Sequence, residues 1–139
     1  MRALAVDPGG TTGLAAWDDG EWDATHRPWL DAQDHIEALV PYLDLLVCES
    51  FHISMQTAKK DPKGSLQAIE LIGVCRFLAR RAGIEFVTQS PSEAKTFSTD
   101  EKLKHYVWWN SSDHARDASR HLMLALAKRH IIDLKDLIT

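Results

Sequence analysis

Residues 2–20 read RALAVDPGGTTGLAAWDDG, and the order of residue types in this stretch decides the fold. Residues 2–7 form a short apolar run that ends in an acid, the pattern of a central strand covered on both faces. Asp18-Asp19-Gly20 then separates residues 12–17 (TGLAAW) from residues 21–28 (EWDATHRP). An Asp-Gly pair between two Trp-bearing runs is a strong hairpin signal. Three strands therefore open the chain as a meander. Working outward, residues 31–41 follow helical spacing, with Ile36, Leu39 and Val40 on one side and Asp31 or Asp34 near the start. Residues 44–50 (DLLVCES) are a second apolar run ending in an acid, which predicts a buried strand returning parallel to the first.

Residues 51–63 have mixed composition and a Pro, and read as a mobile loop before a helix from Gly64 to Ala82. That helix is apolar over more of its circumference than one sheet-facing stripe requires, which predicts a subunit interface where Gly73 lets two copies approach closely. A fifth strand follows at 84–88, Pro91 opens a short helical turn, and Ser111-Ser112-Asp113 caps a last helix running to His130. The expected architecture is one α/β domain over residues 1–139, a five-stranded mixed sheet with helices on both faces.

The formal net charge is -4, which argues at first against a nucleic-acid partner, since phosphate binding is driven by Lys and Arg. Distribution qualifies the sum: residues 1–50 hold ten acidic residues with only Arg2 and Arg27 as basic ones, whereas residues 51–130 hold thirteen basic against eight acidic. A positive face is compatible with that asymmetry. No stretch approaches the roughly 18 consecutive apolar residues of a membrane span, and the N-terminus has no signal-peptide pattern. A soluble, cytoplasmic protein with no membrane contact is expected. Cys48 and Cys75 lack metal-ligand spacing and read as reduced core thiols.

Asp7 ends the first strand, Glu49 lies near the end of the fourth, and Asp117 lies one turn into the last helix. Parallel neighbouring strands bring Asp7 and Glu49 to one sheet edge, where a helix start can add Asp117. Three such acids repel one another unless a cation sits among them. Oxygen donors favour Mg2+ or Mn2+, and two ions about 3.5 to 4 Å apart can activate water and stabilise a leaving oxygen in phosphodiester cleavage. His114 shares a helical face with Asp117 and is placed to ligate metal or protonate a leaving group. Asp113 is either a helix-start acid or a ligand, and Arg116 and Arg120 either meet phosphates or pair with acids. His121 reads as a hydrogen-bonded core histidine. The run Asp7–Gly13 turns tightly, its glycines allowing backbone approach to a phosphate or metal-bound water. Trp108-Trp109 either stack on exposed bases or close the open sheet edge.

Taken together, DPGGTTG at 7–13, VCES at 47–50, SPSEAK at 90–95 and HARDA at 114–118 resemble, in order, the RuvC family of Holliday junction resolvases, most closely the shorter versions encoded by bacteriophages. The resemblance implies an RNase H-like fold and a crossover-junction endonuclease in which Asp7, Glu49, His114 and Asp117 form the catalytic and metal-binding group. It implies Lys95, and Lys102 or Lys104 just after it, as DNA-contacting lysines and Phe51 as the aromatic that engages an opened junction. Lys59, Lys60 and Lys63, in the segment after Phe51, and Arg116 complete the expected DNA-binding set. It further implies a homodimer acting on Holliday junctions, forks or flaps, in the host bacterial cytoplasm if phage-encoded.

Three rivals remain open on the sequence. A YqgF-like nuclease of the same fold acts on RNA, a sugar kinase or ATPase needs a second domain that this length does not provide, and a non-catalytic DNA-binding dimer keeps the acids as structure alone.

Overall fold

Strand β1 (Arg2–Asp7) is buried from Ala3 onward because it has strands on both sides. It pairs antiparallel with β2 (Thr11–Asp18), from Arg2 opposite Asp18 to Asp7 opposite Gly13, and parallel with β4 (Leu45–Glu49). Strand β3 (Glu21–Pro28) folds back on β2 through a two-residue turn. Asp19 and Gly20 both have positive φ there, 45° and 108°, the backbone twist that a tight hairpin demands and that Asp-Gly supplies. Strand β5 (Glu85–Gln89) pairs parallel with β4, giving the order β3-β2-β1-β4-β5. The structure, a computed structural model, describes residues 1–51 and 55–133.

Helix α1 spans Trp29–Leu39, two residues earlier than predicted. The backbone N–H of Trp29 bonds the Gly10 carbonyl at 3.0 Å, so a distant loop rather than an acidic cap fixes the start. Pro41 lacks a donor and obstructs the preceding turn, so the α-helix gives way to a 3-10 turn at Val40–Tyr42. The predicted loop 51–63 is corrected in part. Helix α2 (Met55–Lys60) occupies half of it, residues 52–54 lie outside the described residues, and α3 begins at Pro62 and runs to Ala82. Asp61 accepts from the Gly64 N–H and Pro62 takes the first helical position, a cap-and-proline start two residues ahead of Gly64.

The turn expected at Pro91 is a full capped helix, α4 (Pro91–Phe97), opened by Ser90 and Glu93 bonding each other's backbone reciprocally. Helix α5 (Asp100–His105), capped by Thr99, was not foreseen. Helix α6 (Asp113–Lys128) starts at the Ser112 cap and ends two residues before the predicted His130.

Side chains alternate across a strand, so the odd-numbered residues of β1, β2, β4 and β5 share one face. On that face Ala3, Ala5, Ala15, Leu45 and Val47 pack against Ala118, Leu122, Met123 and Leu126 of α6. The opposite face, with Leu4, Val6, Leu14, Leu46 and Cys48, packs against Ile36 of α1 and Leu71, Cys75 and Ala79 of α3. The five-stranded mixed sheet with helices on both faces is therefore present as predicted. Both cysteines are free and buried. Trp108 is buried against the edge hairpin, stacked on Trp22 at 5.8 Å and tilted against Trp17 at 5.7 Å, which is the edge-closing role. Trp109 is 40% exposed, with Lys104 Nζ 4.5 Å and the Arg116 guanidinium 4.6 Å from its ring. No helix among the described residues is long and apolar enough to cross a membrane.

Candidate active site

The alternation that builds the α6-side core also sets the polar edge. One step beyond Ala5, Val47 and Val87 on the same face come Asp7, Glu49 and Gln89, all at the C-terminal ends of parallel strands. Glu49 and Gln89 are register partners. Opposite Asp7 stands Gly13, and a Cβ there would collide with the His114 carbonyl, so the missing side chain is what lets α6 start directly on β2. His26 Nδ1 to Ser112 Oγ at 2.8 Å and the Asn110 amide to the Ala24 carbonyl at 3.1 Å tie that helix start to β3.

As a result His114 Nδ1 lies 3.5 Å from Asp7 Oδ2. The Asp7 carboxyl is pushed up to about 8, first by burial, then by the charges of Glu49 and Asp117 and a hydrogen bond with Glu49, while Lys95 opposes the shift. Three acids this close cannot all be ionised without a compensating positive charge. Asp117 receives part of one from Arg120, whose Nε is 3.7 Å away and whose other donors hold Asp100 and the Ser98 carbonyl. Glu49 Oε2 is bound by His121 Nε2 at 2.8 Å, and His121 Nδ1 meets Gln89 Oε1 at 3.1 Å.

Open clefts flank this edge. One of about 810 Å³ is lined by Lys95, Asp100, Asp113, Arg116, Asp117 and Arg120. The other, of about 730 Å³, is lined by Pro8–Thr11, Phe51, Lys63 and His114 among others.

No family model matches the chain, and no relative is found among curated proteins. Among solved structures, T. thermophilus RuvC in complex with Holliday junction substrate superposes with a TM-score of 0.65 over 94% of this chain and 96% of that one, at 15% identity. The fold is RNase H-like.

In this RNase H-like chain, Asp7, Glu49, His114 and Asp117 come together at one sheet edge, with Lys95 close enough to act on Asp7. Phe51 and Lys63 line the cleft on the His114 side. Arg116 borders the other cleft, but its donors hold Asp113 and the carbonyls of Asn110 and Ser111. Lys102 bonds the Phe97 carbonyl at 2.8 Å and lies 4.1 Å from the Phe97 ring centroid, and Lys104 lies against Trp109. Lys59 and Lys60 are exposed at the end of α2. Asp113 pairs with Arg116 at the exposed helix start.

The glycines of the Asp7–Gly13 run divide their work: Gly9 and Gly10 border the open cleft, while Gly13 admits the helix rather than a ligand. Arg120 takes the acid-pairing alternative and His121 is the hydrogen-bonded core histidine expected, but sequence reading missed the contribution of Gln89 and the pairing of His121 with Glu49. His121 was visible as the next member of the His114–Asp117 stripe on a 3.6-residue helix, but its partner Glu49 comes from another element.

A divalent cation fits the donor chemistry of the edge. Carboxylate oxygens and an imidazole are suitable ligands, and the burial of Asp7 beside the charges of Glu49 and Asp117 marks a place where positive charge is lacking. Among the described residues, no three His, Cys, Asp or Glu side chains stand as a finished ligand set for one ion.

Proposed function

We propose that the chain is a divalent-metal-dependent endonuclease that cuts branched DNA, Holliday junctions first among them, as a phage-type relative of the RuvC resolvases. One observation carries this reading: Asp7 is buried at a sheet edge, with His114 3.5 Å away and with Glu49 and Asp117 near enough to raise its carboxyl to about 8. The structural neighbour was solved with a Holliday junction substrate, which supports four-way DNA as the substrate class.

Asp7, Glu49 and Asp117, with His114, would hold Mg2+ or Mn2+. Such cations, when bound, would supply Lewis-acid stabilisation of the phosphate and an activated water. His114, half-exposed beside Asp7, would serve either as a further ligand or, where it does not ligate, as the donor of a proton to the departing 3′ oxygen. Lys95 faces the same edge and meets the phosphate backbone together with Lys63 across the site, and Phe51 offers a stacking surface at the cleft wall.

Two subunits would present two such edges to opposed strands. Helix α3 supports dimer formation: Leu66, 65% exposed, Ile69 and Phe77, 50% exposed, share an outer stripe with Gly73, where a Cβ would meet open space. The setting for this activity is the cytoplasm, that of the bacterial host if the chain is phage-encoded.

The test is cleavage of matched four-way, fork, flap, duplex, single-stranded and RNA substrates with Mg2+ and with Mn2+, at one salt concentration. Metal-dependent cutting confined to branched DNA is the expected result. Cutting of RNA alone supports the YqgF-like alternative, and binding without cutting under either metal supports the non-catalytic dimer.

A further inference from the structure

Histidine 121 is a buried titratable side chain to which the proposed reaction assigns no step. It projects from α6 into the core-facing side of the sheet, 1% exposed, among Ala118, Leu122 and Ala125 of its own helix. Both ring nitrogens are engaged, Nε2 with Glu49 Oε2 at 2.8 Å and Nδ1 with Gln89 Oε1 at 3.1 Å. A carboxylate oxygen and an amide oxygen only accept, so Nε2 donates to Glu49 and Nδ1 donates to Gln89. The ring cannot flip without putting carbon atoms against both partners. Gln89, itself 4% exposed, stands beside Glu49 in the β4–β5 ladder, so three elements converge on one carboxylate.

An apolar residue in place of His121 would serve packing with less desolvation cost, since a buried polar or ionic contact is weak support for stability. Its geometry instead serves direction. Bonding Oε2 from behind holds the Glu49 head group in one rotamer beside Asp7, with no search over orientations when a cation arrives. We infer that His121, braced by Gln89, is a positioning residue that aims Glu49 at the divalent-metal site. The inference rests on the reading of Asp7, Glu49 and Asp117 as metal ligands and adds a second layer to it.

The experiment titrates Mn2+ alone into the full chain, without DNA, and follows binding by calorimetry or by the loss of the free-ion electron resonance signal. His121→Phe fills the volume without a donor and is expected to weaken Mn2+ binding about 10- to 100-fold. His121→Gln places an amide nitrogen near the position of Nε2 and is expected to recover much of that loss, a rescue that a purely packing role would not show. Gln89→Met, which removes the brace, is expected to weaken binding less than His121→Phe does. In the Glu49→Gln background, His121→Phe is expected to cause no further loss.

Thermal melts establish that each variant is folded, and Gln89→Met carries the test if the Phe variant is not. Wild-type Mn2+ affinity in folded His121→Phe or Gln89→Met, or an equal loss with and without the Glu49 carboxylate, overturns the positioning role alone. Wild-type protein that takes up no Mn2+ overturns the metal reading and this inference together.

Discussion

A Cβ placed on Gly13 would overlap the carbonyl oxygen of His114 and stand 3.2 Å from the Ala115 nitrogen. The start of α6 thus rests on bare backbone, and the distance from His114 to Asp7 depends on that contact. Gly13→Ala is expected to push the helix outward, costing about 1–3 kcal/mol as an overpacked contact does. Cleavage should fall by about 100-fold, since a displacement near 1 Å is enough to spoil an aligned site. Denaturant melts and cleavage rates on a four-way junction check the two effects separately.

Asp7→Asn, Glu49→Gln and Asp117→Asn are each expected to abolish cutting while leaving junction binding within a few-fold of wild type. Phosphate contacts are made by other groups, among which Lys95 and Lys63 line the clefts. Gel-shift and cleavage assays on the same preparations decide the matter, and loss of binding in all three would count against the assignment.

The raised Asp7 carboxyl makes stability pH-dependent with a defined sign. Between its ordinary value of 3.8 and its folded value of about 8, the native chain holds a proton that the unfolded chain has released. This group's contribution is therefore fully present below pH 4 and is lost as pH rises toward 8 and beyond. In EDTA, the melting temperature of Asp7→Asn should fall less between pH 5 and pH 9 than that of the wild type. Added Mg2+ or Mn2+ should offset the wild-type loss most strongly at the alkaline end, where it no longer competes with the proton. Parallel pH profiles of the two proteins would sink the assignment of the shift to Asp7.

Lys95 acts on Asp7 and lines the cleft that Asp117 borders. Lys95→Ala should weaken junction binding and reduce the slope of log K against log salt by about 0.9, the share of one phosphate contact. Affinities measured across a salt series test this, and an unchanged slope would place Lys95 off the DNA.

The two adjacent tryptophans should behave differently. Trp108→Ala removes a ring packed on Trp17 and Trp22 and is expected to cost about 3–5 kcal/mol. Trp109→Ala releases Lys104 and Arg116 from an exposed ring and is expected to cost less than about 1 kcal/mol. Urea unfolding of the two variants provides the comparison.

Much of this arrangement was legible in the chain because its signals are local. Asp19-Gly20 specifies its own turn, and Asp7 and Glu49 end apolar runs whose alternation fixes their face. Helices of six or seven residues such as α4 and α5 carry little stability alone, which is why α4 read only as a short turn at Pro91 and α5 was not read at all. They are held by tertiary contacts, Leu103 buried in the core and Ser98 Oγ bonded to the Arg120 carbonyl at 2.7 Å. Adjacency alone could not separate Trp108 from Trp109. The left-handed backbone at Val107, φ 61°, immediately precedes the pair, and one ring goes inward while the other remains outside. Likewise, spacing placed His121 near the stripe of His114 and Asp117, but only the sheet register sets Glu49 and Gln89 around it.

Helix α6 carries His114, Asp117 and His121 on the same rod that supplies Leu122, Met123 and Leu126 to the interior. Reactive and supporting groups therefore move as one piece, and a shift in the helix register would misalign every one of them. Engineering of substrate choice belongs in the cleft walls, at Phe51, Lys63 and Lys95, where side chains can be exchanged while the rod keeps its place.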